Sequence, residues 1–209
     1  RVKSTFSKYS GMRNHMGLTG AQAAERVLHG AGIYDVRIER VAGNLTDHYD
    51  PRNKVLRLSD ATYGQCSVAA VGVAAHECGH AIQHARGYAP LQFRSALVPV
   101  ANFGSMIAWP LIVLGLFINS QSSALLINIG ILAFSLAVLF QLVTLPVEYN
   151  ASGRAVRILA ETGMMQGEEI VATKKVLNAA ALTYVASAAA AILQLVRILI
   201  LTGGRRRDD

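Results

Sequence analysis

The chain has 209 residues, is 52% apolar and only 16% charged, and has a mean hydropathy of +0.34; this balance excludes an ordinary soluble domain and points to the membrane. The formal charge of +7 does not mark a nucleic-acid binder, because the basic residues are scattered over the polar segments and alternate with acids, as at a membrane surface. Cys66 and Cys78 follow neither zinc-pair spacing nor a disulfide framework.

The chain opens on Arg1-Val2-Lys3 without an initiator Met, as if a signal or membrane span preceded it. Residues 18–30 open with Thr19-x-x-Gln22, a capping box, and close on Gly30, which predicts a short helix. Residues 36–41 and 54–58 alternate apolar and charged and predict half-buried strands of a small sheet. Between them, residues 44–52 carry turn chemistry. Asp47, His48 and Asp50 have metal-binding side chains there, but the stretch reads as a solvated loop.

Next comes Ser67 followed by a small, apolar, proline-free run into His76-Glu77-Cys78-Gly79-His80, the H-E-x-x-H pattern. On a helix, residues four apart share a face, so His76 and His80 can aim ring nitrogens at one Zn²⁺. Glu77 lies one position round from the first imidazole, placed to touch a water on the metal, as a general base must be.

From Ser95 to Val147 there is no Asp, Glu, Lys, Arg or His. A single helix of that length would run about 80 Å, far more than the ~30 Å hydrocarbon core. The stretch therefore predicts a transmembrane hairpin with spans at 97–118 and 124–145, the first holding Pro99 and Pro110, joined by the polar tip at 119–123. Basic residues such as Lys8, Arg86, Arg94 and Arg157 fall on one side of this hairpin, which the positive-inside tendency makes cytoplasmic. Past it, a helix is expected from about 145 to 159, a stop at Glu161-Thr162-Gly163, a new helix from Gly167-Glu168-Glu169, and a third apolar, membrane-spanning stretch at 179–201. A span there leaves Arg205-Arg206-Arg207 on the opposite side, against that tendency.

A catalytic zinc takes three protein ligands and keeps one position open. The metzincin arrangement is excluded, because Gln83 and Arg86 stand where it requires Gly and His. His84 is one further turn along the same face. Three His on successive turns of a straight helix cannot close on one ion, which leaves His84 supporting the site from outside or on the surface. A distant carboxylate remains. Glu148 fits best, because two spans return the chain to the face it left, whereas Glu161, Glu168 and Glu169 read as exposed turn residues. The sheet strand Val55-Leu56-Arg57-Leu58 leads into the active helix and is expected to be the edge that holds an extended peptide.

The blocks D-H-Y-D-P-R-N-K-V-L-R-L-S (47–59), A-A-H-E-C-G-H-A-I-Q-H (74–84) and L-P-V-E-Y-N-A-S-G-R-A (145–155) resemble, in that order, the bacterial membrane-bound neutral zinc metallopeptidase (YugP-like) family. The resemblance implies a gluzincin: one Zn²⁺ per chain on His76, His80 and Glu148, with Glu77 as catalytic base, and a membrane helix just before the position of Arg1. Related membrane gluzincins carry an Asp four residues after the ligand Glu to support a zinc-bound His; here Ser152 stands there, with a weaker hydroxyl. Arg154, Arg157, Tyr63 and Tyr184 are open candidates for the oxyanion donor.

The expected fold is mainly α, a zincin-like core with a small β-sheet, a transmembrane hairpin and a further C-terminal apolar helix. The expected divisions are 1–94 (sheet and active helix), 95–147 (hairpin), 148–178 (third ligand) and 179–209 (apolar helix and basic tail). The expected function is a multi-pass zinc endopeptidase of the bacterial inner membrane, its site facing the cytoplasm, acting on membrane or membrane-proximal proteins, without nucleic acid and with other complex subunits as partners. The rival is a catalytically silent zinc-binding scaffold.

Overall fold

The structure, a computed structural model, describes residues 2–118 and 122–203. Arg1, most of the expected tip and Arg205-Arg206-Arg207 lie outside the described residues. The chain divides into two compact units: Arg1–Tyr88 with Val147–Thr183, and Ala89–Pro146 with Tyr184–Asp209.

In the first unit α1 (Val2–Ser10) precedes α2 (Gly20–Gly30), whose start carries both bonds of the capping box: Gln22 N–H donates to Thr19 Oγ1, and Thr19 N–H to the Gln22 side chain. Then come β1 (Arg37–Val41), β2 (His48–Asp50), β3 (Val55–Ser59), the single turn α3 (Asp60–Tyr63) and α4 (Val68–Ala85). Ser67 caps α4 by accepting the Ala70 N–H at 3.1 Å. Just past its other end, Gly87 takes φ +61°, the left-handed conformation that stops a helix at little cost for glycine.

The sheet order is β1-β3-β2, with β1 parallel and β2 antiparallel to β3. This corrects the expectation for Val55, Leu56, Arg57 and Leu58: they form the central strand, not an edge. Val55, Leu56 and Leu58 are fully buried, and Arg57 alone reaches polar partners, Glu39 and Asp50. Part of the expected turn is strand β2. Asp50 reverses the chain behind it by accepting the N–H groups of Arg52 and Asn53, while Asp47 accepts both the backbone N–H and the hydroxyl of Ser59. These carboxylates therefore shape the loop.

The remaining helices are α5 (Ala89–Phe117), α6 (Ser123–Glu161) and α7 (Glu168–Gly203). All three are long and apolar enough to cross a membrane. Where a break was expected near Leu145, α6 runs on with Pro146 inside it, and α7 likewise joins the expected polar helix to the third apolar stretch. From Val147 onward α6 belongs to the first unit, as does α7 up to Thr183. Glu169, expected in an exposed turn, is 9% exposed and ties α7 to the loop after α1 by accepting the His15 N–H at 2.6 Å and facing its Nδ1 at 2.7 Å.

Within the second unit α5 and α6 pass antiparallel at close range. A Cβ on Gly104 would sit 2.7 Å from the Ala133 carbonyl, and one on Gly130 would sit 2.9 Å from that of Ala108. Close approach through small residues is how helices associate in lipid, where burying apolar surface gains nothing. Large apolar side chains such as Phe103, Met106, Leu132 and Ile200 point outward; in water that much exposed hydrocarbon would aggregate, and in a bilayer it is ordinary lipid contact.

Candidate metal centre

Helix α6 presents three rows to α4. Val147, Ala151, Ala155 and Leu159, spaced by four, form a stripe with no exposed surface. Glu148 and Ser152 lie one turn apart on one flank of that stripe, and Asn150 and Arg154 on the other. The helices run antiparallel: His76 meets Ser152, His80 meets Glu148, and Gln83 meets Val147 and Asn150. Gly79 permits this. A Cβ there would sit 2.6 Å from the Ala151 carbonyl oxygen and 3.0 Å from its carbon, and those atoms belong to a helix backbone that cannot step aside.

The result is a convergence of three donors. His76 Nε2 and His80 Nε2 lie 3.3 and 3.5 Å from Glu148 Oε2, and the set fits within 4.8 Å. The side chains are 13%, 12% and 3% exposed, so the group is largely withdrawn from solvent while the imidazoles stay reachable. Two imidazoles and a carboxylate suit a borderline divalent cation such as Zn²⁺ and leave a fourth position for a small molecule. Electrostatics agree. Burial pushes the His80 pKa down, but Glu148 and Glu77, together with the hydrogen bond to Gln83, outweigh it and raise the net value. A pocket that favours the proton on His80 has the negative potential that also favours a cation. The residues present fit the metal.

The ring nitrogens turned away from the convergence are also held. His76 Nδ1 lies 3.0 Å from Ser152 Oγ, and His80 Nδ1 lies 3.0 Å from Gln83 Oε1. Ser152 thus touches His76, as a position one turn after Glu148 allows. Gln83, completely buried, enters the sequence reading only as a departure from another motif; its signal is the i,i+3 spacing from His80, meaningful once α6 is packed alongside. Glu77 is half-buried on α4 next to His76.

Other candidates are elsewhere. His84 is exposed, its Nδ1 2.9 Å from the Tyr49 hydroxyl; burial, with Asp35 and Asp50, pushes the Tyr49 pKa up to about 12, so the phenol stays protonated. Arg154 is engaged by Asn150 and lies over the Tyr88 ring. Tyr63 lines a cleft with Gln22, Glu25 and His29. Burial pushes the Cys78 thiol well above its ordinary pKa, which removes it as a thiolate ligand or nucleophile.

Because Gly79 holds α4 against α6, Gly79→Ala is expected to cost about 1–3 kcal/mol and to spread the donors. Denaturant unfolding and zinc titration in detergent measure both effects; unchanged values in both would show that the helices yield freely.

Comparison with known proteins agrees with this geometry. A family model described as "Putative neutral zinc metallopeptidase" matches residues 1–203. The chain is 47% identical over 206 residues, 98% of its own length and 90% of the relative's, to "Putative membrane protease YugP" of Bacillus subtilis (strain 168). No solved structure matches. A whole-chain family match, with an intact pair of histidines and a carboxylate brought within bonding range of one ion, places this chain in the neutral zinc metallopeptidase family.

Proposed function

We propose that the chain is a membrane-embedded zinc-dependent endopeptidase of the bacterial cell membrane, with His76, His80 and Glu148 as zinc ligands and Glu77 as general base. The observation that carries this is the convergence of two Nε2 atoms and one carboxylate oxygen from separate helices, with Glu77 one residue from the first imidazole. When bound, zinc supplies a Lewis acid that lowers the pKa of water to about 7 and polarises a carbonyl. Glu77 accepts the proton of the attacking water on its carboxylate and delivers it to the leaving amine. His76, His80 and Glu148 hold the ion, and Ser152 and Gln83 orient the imidazoles through their Nδ1 atoms.

Membrane or membrane-proximal proteins are the proposed substrates, in line with three apolar helices and a relative named as a membrane protease. The strand offered to an extended peptide is β2 rather than β3, since β3 is paired on both sides and β2 reaches α4 through Tyr49 and His84. A cytoplasmic site follows from the basic segments that flank the apolar ones.

The test is metal content by elemental mass spectrometry of freshly purified, unchelated protein, with hydrolysis of a casein or peptide-library substrate. Zinc close to one per chain, with hydrolysis abolished by chelation and restored by zinc, is expected. Zinc without hydrolysis would turn the reading to a silent scaffold, and no zinc would overturn the site.

A further inference from the structure

Ser152 and Gln83 do different things to their imidazoles. A hydroxyl can donate or accept, so Ser152 accommodates either tautomer of His76. A carboxamide oxygen only accepts, so wherever Gln83 turns Oε1 toward His80 Nδ1, that nitrogen must carry the proton and Nε2 must carry the lone pair. What decides which end of the Gln83 amide faces His80 lies further out.

Gln83 Nε2 donates to the Val147 carbonyl at 2.9 Å and to Asn150 Oδ1 at 3.0 Å. That second bond requires Asn150 to present its oxygen, and it does so because Arg154 Nε, which only donates, reaches the same Oδ1 at 2.7 Å. The Arg154 guanidinium is in turn placed over the Tyr88 ring, 5.8 Å from its centroid. The Val147 carbonyl, which only accepts, already turns the amide nitrogen of Gln83 toward α6; a donor-only guanidinium orients Asn150 to hold that nitrogen a second time, and Gln83 so held sets the proton of His80. The stake is high because a free neutral imidazole favours the proton on Nε2, the atom that faces Glu148 Oε2 at 3.5 Å and has to be bare to bind a metal.

We infer that Gln83, oriented by the Val147 carbonyl together with Asn150 and Arg154, is a positioning residue that locks His80 in the metal-binding tautomer. The inference rests on the proposed zinc site for its purpose, although the tautomer itself can be read without metal. The experiment is ¹⁵N–¹H NMR of the histidine rings in metal-free full-length protein in detergent at alkaline pH, where the imidazoles are neutral, paired with zinc affinity by chelator competition. The wild type is expected to show His80 protonated on Nδ1. Gln83→Leu is expected to move the proton to Nε2 or scatter it over both nitrogens, and to weaken zinc binding about 10–100-fold.

Because Gln83 is buried, Asn150 supplies a second and milder pair of variants. Asn150→Asp keeps an oxygen toward both Arg154 and Gln83, and should retain the parent tautomer with zinc binding no weaker. Asn150→Leu removes that oxygen but leaves the Val147 carbonyl to hold the amide, so it should keep the Nδ1 proton and lose less zinc affinity than Gln83→Leu. A metal-free wild type with the His80 proton on Nε2, or a His80 tautomer unchanged in Gln83→Leu, overturns the inference. A wild type that binds no zinc overturns the proposed function instead, and the metal-free spectra still decide whether the lock exists.

Discussion

Glu77→Gln is expected to bind zinc like the wild type and to lose about 10²–10⁴-fold in peptide hydrolysis, equivalent to roughly 3–5 kcal/mol of transition-state stabilisation. The two halves of this expectation have separate origins. Zinc is retained because the convergence is made by His76, His80 and Glu148, and an amide at position 77 changes neither their positions nor the Gly79–Ala151 approach that sets them. Hydrolysis is lost because an amide cannot take a proton from the attacking water. The assays are elemental analysis and initial rates at saturating zinc. A zinc-loaded Glu77→Gln protein hydrolysing at the wild-type rate would remove Glu77 from the mechanism.

The parts of this molecule that sequence reveals are those written in local periodicity. The His76/His80 pair needs only four-residue spacing on one helix, and its helix starts where Ser67 places a cap. The Thr19–Gln22 box needs only three. The apolar stretches that become α5, α6 and α7 are legible because lipid demands long uncharged runs. Glu148, which lies with the two imidazoles, was expected there by parity, because two spans would return the chain to the side it left.

What was hidden depends on neighbours distant in sequence. Strand order is such a property: Val55-Leu56-Arg57-Leu58 looks like a half-buried edge by alternation, yet β1 and β2 pair along both of its edges and the consecutive Val55 and Leu56 are both buried. Strand β2 has three residues, too few to display a period of two. The continuity of α6 through Pro146 was masked by a residue that usually ends helices, although membrane-protein helices tolerate proline where neighbouring groups satisfy the freed backbone carbonyl. Gln83 stands in the 74–84 block with no role that the block assigns it. Its meaning appears only when α6 lies antiparallel to α4 and sets Val147 and Asn150 against its amide.

Glu148→Gln should have the complementary outcome: an intact fold that no longer responds to zinc. In the wild type, added zinc binds the folded state and raises its stability by RT ln(1 + [Zn]/Kd), about 2.7 kcal/mol at a free concentration 100-fold above Kd. The unfolding midpoint should therefore climb with zinc and fall on chelation. Glu148 is 2% exposed; burial pushes its pKa up, but His76 and His80, facing it across the convergence, hold it below the ordinary carboxylate range, so it is the anionic member of the set. An amide there keeps the volume and can still donate to an imidazole nitrogen, so the metal-free protein should unfold close to where the metal-free wild type does. The charge that draws the divalent ion is gone, however, and the zinc-induced shift should largely vanish along with activity. Glu77→Gln should keep the full shift. A zinc-induced shift in Glu148→Gln equal to that of the wild type would assign the third donor to another side chain; its loss there and persistence in Glu77→Gln would separate the carboxylate that holds the ion from the one that moves the proton.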